Sequence, residues 1–185
     1  MRQRIALAAP VLAGLLLAAC ATPPGSGKPA WQRVEPDRFA GTWQLAAVTP
    51  EGFWADCGPG SRFTVRPTGK FMRVAWHCAT PDGMVDKPGQ ARWEGEPRRG
   101  KLWITYQTLF GAWLWPAGDP VWVRDHGPDY GWLVMDVPGR DHVRVLTRDD
   151  ALTSAEREAV MQAVRDAGYD PCGLKVLEGR PFCDV

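Results

Sequence analysis

The chain has 185 residues, of which 45% are hydrophobic and 23% charged, and its formal net charge is +1. That balance excludes an intrinsically disordered chain, and 20 Gly with 17 Pro in no fixed period exclude a collagen-like one. The length suits one domain, and the near-zero charge gives no electrostatic basis for a nucleic-acid partner.

In chain order, Met1-Arg2-Gln3-Arg4 is a short basic start and Ile5 to Ala19 an uncharged apolar run. The run is shorter than the roughly 20 residues of a spanning helix and has the layout of a secretory signal. Its end, Leu17-Ala18-Ala19-Cys20, resembles the bacterial lipobox. The resemblance implies cleavage before Cys20 and lipidation of that Cys. With Ala21 following, it also implies a lipid anchor in the outer membrane with the domain facing the periplasm. Residues 1–19 are then a lipoprotein signal peptide. Residues 20–36 carry Pro23, Pro24, Pro29, Pro36, Gly25 and Gly27 with no apolar period, as a tether does. Residues 37–185 remain for one domain with a helix and a tail.

Apolar alternation at period two predicts strands over Thr42–Val48, Ser61–Arg66, Phe71–Cys78, Ala91–Glu94, Leu102–Gln107, Val121–Arg124, Tyr130–Met135 and His142–Thr147. Eight short strands with turn-rich connections suit a sandwich or an eight-stranded up-and-down antiparallel β-barrel. A hairpin turning at Pro67-Thr68 would set Phe63 opposite Met72, Ser61 opposite Val74 and Cys57 opposite Cys78. It would leave Phe63, Val65, Met72, Val74 and Trp76 on one apolar face. After Thr147 the period changes. Thr153-Ser154-Ala155-Glu156 has the form of a capping box, Val160, Met161 and Val164 share one helical face, and Gly168 suits a C-terminal cap. One helix of about 14 residues, lying on the outside of the barrel, is predicted there.

Phe39-Ala40-Gly41-Thr42-Trp43 resembles the Gly-x-Trp signature that opens the first strand of lipocalins. Further matches follow in order. Asp56-Cys57 and Trp76-His77-Cys78 resemble the two Cys positions of bacterial lipocalins. Gly89-Gln90-Ala91, Gly100 to Tyr106, Asp129-Tyr130 and Val145-Leu146-Thr147-Arg148 resemble later strand motifs. The chain is thus similar to bacterial lipoprotein lipocalins from Phe39 to Leu177. The resemblance implies an eight-stranded barrel whose closed end is plugged by Trp43, with Arg148 over it and Gly41 beside it. It also implies a cup for a small hydrophobic ligand, such as a fatty acid or lysophospholipid, used in lipid transport or storage. Departures from the pattern are Gln44 where Tyr is usual, Trp76 where Asn is common, and Arg144 where an aromatic often stands.

Parity points Phe63, Val65, Met72, Val74, Trp76, Ala91, Trp93, Leu102, Ile104 and Tyr106 inward, and these are the expected ligand-binding residues. The alternative is a barrel filled by these same side chains, acting through its surface. Val143 and Val145 are the more apolar residues of the last strand, which predicts Arg144 pointing outward as a solvated charge; pointing inward, it would instead hold a carboxylate or phosphate head group. Trp113 and Trp115, in a Gly/Pro-rich connection, could cover the mouth, sit at a membrane interface or pack on the rim.

An exported chain favours disulfides. The hairpin pairs Cys57 with Cys78 and leaves Cys172 with Cys183; a link from barrel to tail, such as Cys78 to Cys172, is the alternative. A free Cys57 or Cys78 would instead offer a nucleophile. There is no His-x-x-x-His, Cys-x-x-Cys, Gly-x-Ser-x-Gly or phosphate loop, so no catalytic residue, metal or cofactor is expected.

Overall fold

The computed structural model describes residues 33–96, 99–177 and 181–184. The signal segment, Cys20 and most of the tether lie outside the described residues. A one-turn helix α1 (Pro36–Phe39) leads into β1 (Gly41–Val48), β2 (Gly58–Thr68), β3 (Phe71–Thr80), β4 (Gly83–Trp93) and β5 (Lys101–Thr105). Then come β6 (Thr108–Leu109), β7 (Ala112–Trp113), β8 (Asp119–His126), β9 (Trp132–Asp136) and β10 (Val143–Thr147). Helix α2 (Ser154–Asp166) and β11 (Lys175–Val176) follow. Strands β1–β5 and β8–β10 pair antiparallel in that order, and β1 also pairs with β10, closing an eight-stranded barrel. β6 and β7 form a separate small hairpin between β5 and β8. The predicted architecture, a closed antiparallel barrel with one external helix, is what the chain adopts.

The register of the first hairpin differs from the expected one. The turn is Gly69-Lys70, so Phe63 lies opposite Trp76 and Val65 opposite Val74. Gly69 takes φ +74° at the first turn position, a conformation open to Gly. The ladder is shifted by four positions from the expected pairing. Four is even, so every side chain keeps its face. A further irregularity between Gly58 and Arg62 brings Cys57 back to Cys78, and the two form a disulfide. Cys172 and Cys183 form a second one.

Strand β4 is longer than expected. It holds Pro88 and Gly89, which weaken a strand signal. The β3 ladder nevertheless runs from Thr80 opposite Gly83 to Met72 opposite Ala91. β5 pairs only with Gln90 to Trp93, so the stretch containing Pro88 is an edge on that side, where Pro is tolerated.

Two apolar clusters hold the fold. One fills the barrel, and the other lies between its outer wall and α2. The second cluster packs Val160, Ala163 and Val164 of α2 on Trp132, Val134, Val143 and Val145. Strand β10 is therefore buried on both faces, and the face under α2 carries the valines. Arg144 turns inward, contrary to expectation, and Leu146 shares its face. The valines were the right apolar signal for burial, but the burial is beneath the helix.

Helix α2 starts with a complete capping box: Thr153 Oγ1 accepts from the Glu156 amide, and the Glu156 carboxylate accepts from the Thr153 amide at 2.8 Å. Thr153→Ala is expected to cost about 1 kcal/mol in urea denaturation. The bonds from Thr153 hold the Glu156 carboxyl below its ordinary pKa. A depressed folded-state pKa means the cap stabilises fully above the unfolded value and fades as pH falls through the folded one.

Candidate ligand-binding site

The closed end of the barrel is built around Trp43, which is fully buried and donates its indole N–H to Phe39 O at 2.9 Å. The guanidinium of Arg148 stacks over the ring, 3.5 Å from its centroid. It donates to Thr42 O at 2.6 Å and to Arg38 O and Ala40 O at 2.7 Å. Gly41 has φ +107°, and a Cβ there would come within 2.9 Å of Arg148 Nη1, so this position needs Gly twice over. Trp93 also belongs to this end, packed on Phe39 with ring centroids 5.5 Å apart.

Above this floor the interior wall is formed by Phe63, Val65, Met72, Val74, Trp76, Ala91, Leu102 and Ile104, all buried. Trp76 stacks on Phe63 at 4.4 Å. Gly89 serves Tyr106: a Cβ at Gly89 would sit 2.7 Å from the phenol ring, so its absence lets that ring lie against the strand. Trp76 then donates its N–H to Tyr106 Oη at 2.8 Å. The expected set thus divides, with Trp93 in the floor and Trp76 with Tyr106 near the mouth.

Three residues of the mouth, Phe53, Trp54 and Lys87, were not singled out for it by the sequence reading, and a fourth, Arg144, was expected to point outward. The β1–β2 connection contains a 3₁₀ turn, Gly52–Asp56, which carries Phe53 and Trp54. Trp54 is buried, 4.1 Å from the Trp76 ring. Lys87 lies opposite Trp76 in the β3–β4 ladder and shares its inward face, with Nζ 4.8 Å from the centroids of Phe53 and of Tyr106. Arg144 enters from β10, 4.8 Å from Trp54 and 5.5 Å from Trp76. Register alone could have found Lys87, since its ladder partner is an inward Trp.

These groups share one electrostatic field. Burial and the nearby Arg144 charge both lower the Lys87 pKa. Burial pushes the Tyr106 phenol up to about 12, against the opposing pull of Arg144, so it stays protonated at neutral pH. Burial also lowers the Arg144 pKa, although a guanidinium remains charged.

The loop tryptophans pack on the outside of the barrel. Trp115 stacks on Phe71 at 5.4 Å and lies under Arg92 at 4.7 Å, and its carbonyl accepts from the Trp103 indole. Trp113 is partly buried in the β6–β7 hairpin. The exposed apolar residues of this connection are Leu109 and Phe110, which the sequence reading passed over. Clefts of about 360 and 380 Å³ lie outside the barrel, against the C-terminal segment, and neither is lined by the expected inward set.

A family model described as "Lipocalin-like domain" matches residues 34–178. No curated protein matches the chain. Among solved structures, insecticyanin from the tobacco hornworm Manduca sexta is 15% identical, with TM-score 0.64, covering 81% of this chain and 82% of its own. The cockroach allergen Per a 4 is 10% identical, with TM-score 0.62, covering 85% of this chain and 95% of its own. The siderocalin Ex-FABP, described as functioning through dual ligand specificities, is 15% identical with TM-score 0.54, covering 76% of this chain and 93% of its own. At these identities the likeness is one of fold.

Proposed function

Because the chain belongs to the lipocalin-like domain family, we propose that it is a bacterial lipoprotein that binds a small hydrophobic ligand in its barrel. Cys20 carries the lipid anchor, the tether stands the domain off the outer membrane, and the cup transports or stores a fatty acid, lysophospholipid or similar molecule in the envelope. The observation that carries this reading is the layering of the interior. An apolar floor rises to a mouth containing polar groups, and that mouth is covered by a short turn bearing Phe53 and Trp54 instead of by a strand ladder. Moving Trp54 off Trp76 gives an acyl chain a way in. Burying about twelve methylenes is worth roughly 10 kcal/mol gross, which association and ordering costs reduce to about micromolar binding.

A second reading, a barrel filled by its own side chains, is favoured by the Trp54–Trp76–Phe63 stack and by the near-zero exposure of the interior wall. A reading through a free thiol is overturned, since Cys57 and Cys78 are bonded to each other.

Among the described residues, both clusters are built from Val34 onward, so the chain from Ala21 to Val185 carries both of them whole. Exported to the periplasm and examined by native mass spectrometry, it is expected to carry a co-purifying lipid near one per chain. An apo mass unchanged by incubation with fatty acid or lysophospholipid would reject the cup and select the filled barrel.

A further inference from the structure

Arg144 and Lys87 are two cations facing one interior, and neither has a carboxylate within ion-pair distance among the described residues. Arg144 is 5% exposed, and its Nε has no hydrogen-bond partner. Its guanidinium lies over the faces of Trp54 and Trp76. The two carboxylates whose charge reaches it are engaged elsewhere. Asp119 pairs with Arg140 at 2.9 Å, and Asp136 accepts from Arg124 and Tyr169, each at 2.7 Å. Tyr106 adds a third donor. Its oxygen accepts from Trp76, and its own O–H has no acceptor among the described residues.

A buried, unpaired cation is unfavourable, and cation–π contacts offset only part of its lost hydration. Lys87, partly buried, adds a second cation at the same mouth, and its pKa is lowered first by burial and then by the Arg144 charge. Neither is needed to fill space, since an aliphatic or aromatic side chain fills it without that penalty. The arrangement does suit an anion: a guanidinium, an ammonium and a phenol O–H converge where water is scarce, and charge-assisted bonds are strongest in such surroundings.

We propose that Arg144, Lys87 and Tyr106 form a receiver that holds the anionic group of an amphiphile, a carboxylate or a phosphate, at the mouth while its apolar chain lies in the barrel. This rests on the reading of the barrel as a ligand cup and adds the charge and orientation of the ligand. The Trp76–Phe63 stack lines the wall beside the anion. The apolar part of the ligand enters where Trp54 moves off Trp76. Near the tip of the β3–β4 hairpin, Val85, on the same strand face as Lys87, exposes 43% of its surface at the rim.

The test compares four twelve-carbon amphiphiles by tryptophan-fluorescence titration of the Ala21–Val185 chain: laurate, dodecyl phosphate, dodecanol and dodecyltrimethylammonium. One or both anions are expected to bind at least tenfold more tightly than dodecanol, with the trimethylammonium weakest; whichever anion binds more tightly identifies the source of the group. Lys87→Gln and Arg144→Gln are each expected to reduce the preference to about twofold while dodecanol affinity holds. Lys87 is partly exposed, so its variant answers even if the Arg144 variant fails to fold. Dodecanol binding as tightly as both anions, or a preference that survives Lys87→Gln, overturns the receiver and leaves the cup intact. Failure of all four to bind overturns the cup, and the receiver with it.

Discussion

Trp43→Ala is expected to lower the unfolding free energy by about 3–5 kcal/mol, the range for deleting a large buried aromatic. The loss exceeds that of the ring alone. The indole N–H bond to Phe39 disappears, and the Arg148 guanidinium loses the surface on which it lies. Trp43→Phe keeps an aromatic face and gives up the N–H bond, so it should fall well short of the Ala variant, by about 1–2 kcal/mol. Guanidinium denaturation of both variants checks the order. An Ala variant within about 1 kcal/mol of the parent would mean that the plug does not carry the closed end.

Asp136→Ala is the second large effect, again about 3–5 kcal/mol, because it breaks a buried ion pair by removing the carboxylate that accepts from Arg124. Asp136 is fully buried and accepts with one oxygen from Arg124 on β8 and from Tyr169 beyond α2, each at 2.7 Å, so it ties the outer wall to the segment after the helix. Burial and the adjacent Asp136 charge drive the Tyr169 phenol pKa upward, so it remains a donor at every ordinary pH. Tyr169→Phe removes one arm of the tie and should cost about 1–1.5 kcal/mol. Replacing Arg124 and Asp136 together by Leu should cost less than Asp136→Ala alone, since a whole pair exchanged for apolar groups is often close to neutral. A double replacement worse than the single one would refute that account.

What the sequence made legible follows from what periodicity encodes. Period-two alternation gives the face of a side chain, and every residue expected inward on β2 to β5 is inward or partly so. It does not give register. The first hairpin is displaced by four positions with no visible trace, because an even shift leaves the pattern unchanged. The capping box was readable because its hydrogen bonds join residues three apart. The direction of Arg144 was not readable, because an apolar residue marks burial without marking which side is buried, and α2 makes the outer face of β10 an interior. Trp54 looked like any loop residue: its partner Trp76 lies on another strand, and no local signal joins the two. The Gly89-Gln90-Ala91 match carried more than it showed, because the room it provides is for the Tyr106 ring just past β5.

The closing ladder has a kinetic consequence. Seven of the eight ladders join strands consecutive in the barrel, so they can form hairpin by hairpin at small loop cost. The β1–β10 seam is different: its latch from Arg148 to Thr42 spans 106 positions, so nearly the whole domain must be in place before the seam rewards its own closure. The cylinder therefore zips along the chain and shuts at one line. That line is where the guanidinium over Trp43 belongs, and it holds shut the joint that assembles last.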